Sequence, residues 1–347
     1  MTIRIATIVG ARPQFIKASM VSRILQRTSG VEEDIIHTGQ HFQDNMSELF
    51  FKELQIPDPS FNLGINGGSH GDMVGRMLIA VEKVLLERRP ECVVVYGDTN
   101  STLAGSLSAA KLGIPVAHVE AGLRSYLKIQ PEEINRVATD HLSSLLLCPT
   151  RLAVKNLFKE GVTKGVFHVG DVMYDAAQFA RSSVESDVVL QRYGVESKKY
   201  CLATVHRAEN TDTCERLAAI IEYLKTEPGD LPLLMSVHPR TRQALVSFGL
   251  DLGQIKACGP TSYYEMAALT HNACTVFTDS GGLQKEAYFH RVPCVTLRDQ
   301  TEWIELLEAG WNRLWTEPEY KTRKEIDDYG SGSAAKLIVD KLIETFA

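Results

Sequence analysis

Ile3-Arg-Ile-Ala-Thr-Ile-Val-Gly-Ala-Arg-Pro-Gln-Phe-Ile-Lys17 passes from an apolar strand-like run through a glycine turn into a helix-compatible segment. Pro13 suits the first turn of that helix, so free N–H groups and the positive end of the helix dipole converge near Arg12 and Lys17. That combination suits a diphosphate. Outward from this stretch the alternation continues: residues 35–37, 93–96, 116–119, 145–148 and 166–169 read as strands separated by amphipathic segments. It restarts after Asp171, with strands expected at 201–205, 233–237, 255–257, 275–278 and 294–297. The reading is an α/β protein of two Rossmann-like domains facing a central cleft, residues 1–171 and 172–333. An amphipathic helix over 334–347, after Gly330-Ser-Gly-Ser333, is expected to cross back onto the first domain.

Composition bounds what such a chain can do. Its 347 residues are 44% hydrophobic and 23% charged, which excludes disordered and collagen-like classes. The net charge is −6 and no Lys or Arg block stands out, so the electrostatic footprint of a nucleic-acid binder is missing. Any bound anion must be small and held locally. Without a signal-peptide pattern, and with no apolar run near the ~20 residues of a membrane span, a soluble cytoplasmic protein is expected. The seven cysteines contain no Cys-x-x-Cys pair and read as buried reduced thiols. Gly-x-Gly-x-x-Gly and Walker A are absent, which disfavours dinucleotide and P-loop chemistry. No cofactor is expected, and no His-Glu-x-x-His or Cys/His cluster suggests a metal.

Between Val116 and Arg136 the chain concentrates His118, Glu120, Arg124, Glu132, Glu133 and Arg136. Glu120 should end a buried strand, where open α/β sheets place their ligands. Asp98, in Gly97-Asp-Thr-Asn-Ser-Thr102, adds a carboxylate at another strand end, although an Asp there also commonly caps the following helix. Glu132 follows Pro131 in a first helical turn, where acidic residues are favoured by the dipole alone. In the second half, Thr278-Asp-Ser-Gly-Gly-Leu-Gln-Lys-Glu286 repeats the strand, nest and helix design. Amides at Ser280, Gly281 and Gly282 suit a phosphate, and Glu286 suits ribose hydroxyls. His206 and His238 each end a strand beside an arginine.

Gly10-Ala-Arg-Pro-Gln, His37-Thr-Gly-Gln-His41, Gly97-Asp-Thr-Asn-Ser-Thr102, His118-Val-Glu-Ala-Gly-Leu-Arg124, Pro131-Glu-Glu-Ile-Asn-Arg136, Val205-His-Arg207 and Asp279-Ser-Gly-Gly282 occur in one order. Together they resemble the non-hydrolysing UDP-N-acetylglucosamine 2-epimerase family, nearly end to end. The resemblance implies a fold of glycosyltransferase-B type, a homodimer and a UDP-sugar substrate. It also implies catalytic positions at Asp98, Glu120, Glu132 and His206. Arg12, Lys17, Arg136, Ser280, Gly281, Gly282 and Glu286 fall around the nucleotide, with His238 and Glu302 as weaker additions.

Two departures bear on the sugar. UDP-N-acetylglucosamine members usually carry Gln-His-Arg where this chain has Gln40-His-Phe42, and a longer loop than Ser125-Tyr-Leu-Lys-Ile-Gln130. With Asn45-Met-Ser and Phe50-Phe-Lys-Glu-Leu54, the pattern is more similar to the branch acting on UDP-2,3-diacetamido-2,3-dideoxyglucuronate, a route to surface polysaccharide. Loss of that arginine also bears on the activation by substrate seen in some relatives. Lys128 is the expected contact for a C6 carboxylate. A glycosyltransferase on the same architecture and a non-catalytic sugar-nucleotide sensor are the rival readings.

The chemistry explains the residue types. The proton on C2 of a 2-acetamido sugar is not next to a carbonyl, so its removal needs departure of UDP from C1 as the charge sink. Glu120 or Asp98 can take that proton while cations and amides stabilise the departing diphosphate; Glu132 or His206 can return one from the opposite face. Which group serves as acid and which as base is open at this level.

Overall fold

A computed structural model describes residues 2–40 and 56–347 of the chain. Two compact units appear, one formed by Met1–Ala176 with Asp327–Ala347 and the other by Ala177–Ile326. In the first, β1 (Ile3–Val9), β2 (Val31–His37), β3 (Phe61–Asn62), β4 (Cys92–Tyr96), β5 (Val116–Val119), β6 (Leu145–Cys148) and β7 (Val166–His168) form one parallel sheet. Its order is β3-β2-β1-β4-β5-β6-β7. The apolar runs are continuous because helices cover both faces, and every residue of β4 is buried.

Strand order reverses direction between β1 and β4, the place in a doubly wound sheet where two loops diverge and leave a crevice. The loops concerned carry Gly10 and Gly97. They lead into α1 (Arg12–Leu25) and, after α2 (His70–Arg88), into α3 (Asn100–Lys111). α4 (Pro131–Leu142) and α5 (Arg151–Lys159) follow β5 and β6.

The second unit repeats the plan. β8 (Cys201–Val205), β9 (Leu233–Val237), β10 (Lys256–Cys258), β11 (Thr275–Thr278), β12 (Cys294–Thr296) and β13 (Asn312–Leu314) form a parallel sheet in the order β10-β9-β8-β11-β12-β13. Its reversal lies between β8 and β11, whose ends lead into His206 and Asp279. α6 (Val172–Ser182), α7 (Ser186–Tyr193), α8 (Ala208–Thr211), α9 (Cys214–Thr226), α10 (Pro239–Phe248), α11 (Tyr263–Asn272), α12 (Gly281–Phe289) and α13 (Ile304–Glu308) complete the chain up to its return. The division between units falls within α6.

The chain comes back to the first unit at Asp327, and α14 (Ala334–Phe346) packs on α1 through a face that includes Ala335, Ile338, Val339 and Leu342. Asp175 receives the first free amides of α14, from Ala334 (3.1 Å) and Ala335 (2.7 Å), and so satisfies donors that have no partner within the helix. Among the described residues no helix is long and apolar enough to cross a membrane. Cys92, Cys148 and Cys201 are buried, and burial pushes each thiol up to about 12. At neutral pH they behave as small apolar groups.

Candidate active site

In the first unit, the loops after β1, β4 and β5 bring charged side chains together. Lys17, on the first turns of α1, forms an ion pair with Glu120, and only 9% and 12% of the two side chains are exposed. Arg136, on α4, forms an ion pair with Asp98 and reaches Glu133 at 3.2 Å. Burial disfavours the Arg136 charge, but the carboxylates of Asp98, Glu133 and Glu120 outweigh that and hold the guanidinium above its ordinary value. Two cations and three carboxylates thus share one small region.

The backbone there is held in unusual conformations. Glu120 has φ of 73° although it carries a side chain, a strained state that persists only where its surroundings impose it. Gly97 has φ of +61°, and a Cβ on it would lie 3.2 Å from Glu120 Oε2 and 3.5 Å from Lys17 Nζ. The position needs glycine for both reasons. Thr99, not Asp98, caps α3, its hydroxyl accepting from the Thr102 amide at 3.3 Å, so the Asp98 carboxylate is available to Arg136.

Around Gly10 the structure differs from the expected nest of free amides. Gln14 Oε1 accepts from Gly10 N–H (2.8 Å) and Ala11 N–H (3.0 Å), while Gln14 Nε2 donates to the Tyr96 carbonyl (2.8 Å) and Thr102 (2.9 Å). Those amides stitch the β1 and β4 loops to each other. Arg12 opens α1 half-buried, and an anion there would meet side-chain cations more than backbone amides. Glu132 is exposed in the first turn of α4, whereas Glu133, one position on, turns inward. Glu133 accepts from Ser125 N–H (2.9 Å) and Tyr126 N–H (2.9 Å), fixing the start of the loop that carries exposed Lys128.

In the second unit, fully buried Asp279 organises His206. Its carboxylate lies 2.8 Å from His206 Nδ1 and accepts from the amides of His206 (2.9 Å) and Arg207 (2.9 Å) and from Asn210 Nδ2 (3.0 Å). Burial pushes the Asp279 carboxyl up, but His206 and these donors prevail and hold it below the usual carboxylate range. With Nδ1 directed at a fixed carboxylate, Nε2 is the ring atom left to face a ligand. The His238 ring lies 5.7 Å from that of His206, and its Nδ1 accepts from the Arg240 amide (3.2 Å) as the cap of α10.

Ser280 caps α12, accepting from the Leu283 amide at 3.4 Å, so part of its expected phosphate-binding capacity serves the helix itself. Glu302 lies over Gly281, where a Cβ would stand 2.5 Å from its Oε1. Burial pushes the Glu302 carboxyl up, but Arg298 at 2.7 Å and nearby Arg207 hold it down, so it stays ionised. Gly282 and the largely buried Glu286 occupy the first turns of α12. Among the described residues no group of three or more His, Cys, Asp or Glu is placed to hold a metal ion.

The sequence profile described as UDP-N-acetylglucosamine 2-epimerase matches residues 23–343. The chain belongs to the UDP-N-acetylglucosamine 2-epimerase family. A protein of Pseudomonas aeruginosa named UDP-2,3-diacetamido-2,3-dideoxy-D-glucuronate 2-epimerase is 50% identical over 90% of this chain and 88% of its own length. A Methanococcus maripaludis UDP-N-acetylglucosamine 2-epimerase homolog is 48% identical over 95% and 93%. The Methanocaldococcus jannaschii UDP-GlcNAc 2-epimerase, crystallised with UDP-GlcNAc and UDP, is 42% identical, with a TM-score of 0.86 over 99% of this chain and 100% of that one. This family's α/β architecture of two parallel sheets, of glycosyltransferase-B type, is the one seen here.

Sequence reasoning assigned no role to several residues that the structure sets against the candidate site residues. Asp279 lies in the Asp279-Ser-Gly-Gly282 motif, and no sequence signal ties it to His206, 73 residues earlier. Gln14 and Glu133 were legible as polar residues near glycine and proline turns, but only the fold shows which way they face. His41 and Phe42, with Asn45-Met-Ser and Phe50-Phe-Lys-Glu-Leu54, lie outside the described residues.

Proposed function

We propose that this protein epimerises a UDP-2-acetamido sugar at C2 by eliminating and re-adding UDP without hydrolysis. The observation that carries this reading is the concentration of Asp98, Glu120, Lys17 and Arg136 at the β1/β4 reversal, in a chain of the UDP-N-acetylglucosamine 2-epimerase family. In the elimination, the C2–H bond breaks to a carboxylate and the C1–O bond breaks to UDP, leaving a 2-acetamidoglucal. In the return step, UDP oxygen rebonds to C1 and a proton reaches C2 from the other face. Elimination asks for a base held close to cations that stabilise the leaving diphosphate, and Glu120 beside Lys17 supplies both.

Asp98 is the second candidate base, paired with Arg136. His206, oriented by Asp279, is a proton carrier of the second unit, and exposed Glu132 is a further donor. In the first unit Arg12 and Lys17 suit the diphosphate; in the second the Ser280-Gly-Gly282 turn suits phosphate and Glu286 ribose. His238 and Glu302 border that second set. No cofactor is required, because the electron pair of the broken C2–H bond becomes the C1=C2 double bond of the glucal while UDP takes the pair of the C1–O bond. The protein acts as a homodimer in the cytoplasm.

For the sugar, UDP-2,3-diacetamido-2,3-dideoxyglucuronate is the favoured substrate, giving the manno isomer for surface polysaccharide such as O-antigen. The 50% identical Pseudomonas relative of that name and the short Ser125–Gln130 loop support it. UDP-N-acetylglucosamine is the second reading, supported by the name of the 48% identical Methanococcus relative. Comparing kcat/KM for the two sugar nucleotides decides between them. A higher value for the uronate supports the favoured reading, and a higher value for UDP-N-acetylglucosamine replaces it with the second.

A further inference from the structure

Beneath the loops that carry Asp98 and Glu120 runs a chain of ionisable side chains that neither proton transfer nor nucleotide binding has used. His118, fully buried on β5, has its Nε2 2.7 Å from the Gly97 carbonyl and its Nδ1 2.7 Å from Asp140 Oδ1. A carbonyl only accepts, so Nε2 donates. Asp140, fully buried on α4, accepts through Oδ2 from Gly122 N–H (3.1 Å) and Arg124 Nη1 (2.6 Å). Burial pushes the Asp140 carboxyl up, yet His118 and Arg124 hold it below its ordinary value, so it remains an acceptor for all three. Arg124 in turn grips Glu160 through two bonds of 2.6 and 2.7 Å.

What this chain holds are backbone conformations that a free peptide would leave. Gly97 immediately precedes Asp98 and has φ of +61°. Gly122 lies just past Glu120 and has φ of +80°, and a Cβ on it would stand 2.4 Å from the Ala153 carbonyl. Between them Glu120 itself has φ of 73°. One carboxylate therefore secures both loops: Asp140 reaches the Asp98 loop through the His118 ring and the Glu120 loop directly.

We propose that His118 and Asp140 are positioning residues that fix Asp98 and Glu120 relative to each other for proton transfer at C2. This rests on the roles given to Asp98 and Glu120 above. Proton transfer demands close heavy-atom approach, so a displacement of about 1 Å can cost ~10²-fold in rate while leaving binding at the nucleotide loops intact.

The test compares His118→Phe, His118→Gln and Asp140→Asn with the wild type, all as full chains of measured melting temperature. The readouts are kcat and KM, UDP affinity by calorimetry, and deuterium entry at C2 in D2O. His118→Phe should lower kcat and deuterium entry by about 10²-fold with KM and UDP affinity little changed. His118→Gln, whose amide can still donate to the Gly97 carbonyl, should recover part of that loss. Should Asp140→Asn not fold, the two His118 variants decide alone. A folded His118→Phe protein with wild-type kcat overturns the proposal, as does a loss matched by an equal loss of UDP affinity. A wild-type protein that admits no deuterium at C2 instead removes the functional reading on which the proposal stands.

Discussion

Lys17 and Glu120, 103 residues apart in sequence, meet as an almost fully buried ion pair between α1 and the turn after β5. Removing one partner of such a pair strands the other charge away from water, at a cost of ~3–5 kcal/mol. Lys17→Met and Glu120→Gln should each destabilise the first unit, and the double variant should lose less than the sum of the two. Urea denaturation of all four proteins measures the coupling. Strictly additive losses would show that the two charges do not sense each other.

Asp279 holds His206 by its Nδ1 and by two backbone amides. Asp279→Asn keeps the shape but replaces one acceptor oxygen with an N–H group, so the ring can turn or change tautomer. The expected loss in kcat is about 10²-fold or more, within the ~10²–10⁴ range of acid–base contributions. UDP affinity should stay near wild type. A variant that turns over normally would leave His206 without a proton-transfer role.

Lys128 stands exposed in the Ser125–Gln130 loop. As the contact for a C6 carboxylate, it would contribute a charge-assisted bond worth ~1.5–3 kcal/mol. Lys128→Ala should therefore reduce kcat/KM by ~10-fold or more for the uronate and hardly at all for a neutral UDP-sugar. Equal losses for both would assign Lys128 to the loop and not to the substrate.

Glu33 on β2 accepts from Thr7 (2.5 Å) and Ser22 (2.9 Å), while its second oxygen is buried without a partner. Burial pushes its carboxyl up from 4.5 to about 7. The folded protein binds this proton more tightly than the unfolded chain, so stability falls as pH rises from about 4.5 to about 7 and levels off above. Glu33→Gln, which cannot ionise, should flatten that part of the stability profile and be more stable than wild type at pH 8. A relief of ~1 kcal/mol would move Tm by ~2–4 °C. Identical pH profiles for the two proteins would show that Glu33 does not titrate in this window.

The fold was legible because buried parallel strands read as unbroken apolar runs, and β5, β6, β8, β9 and β11 have the bounds expected from the sequence. Two of the edge strands were not. Phe61–Asn62 and Asn312–Leu314 are too short and too mixed in character to give a period, and pairing alone defines them. Within the candidate site, Glu120, Asp98 and His206 stand just past strand ends, where their positions in the sequence put them. Their supports were not legible in this way, because Asp140, Asp279 and Gln14 act through contacts tens of residues away in sequence. Helix phase decided the Glu132 and Glu133 pair: the sequence offers two adjacent carboxylates, and the turn of α4 sends one into solvent and the other onto Arg136.

The most direct measurement follows C2 of a UDP-2-acetamido sugar by NMR in D2O, with wild type and Glu120→Gln side by side and no acceptor added. Deuterium should enter C2 as the epimer forms, free UDP should not accumulate, and the Glu120→Gln protein should exchange far more slowly. Epimer that forms while C2 keeps its original hydrogen, or UDP released in step with turnover, would contradict elimination and re-addition at this centre.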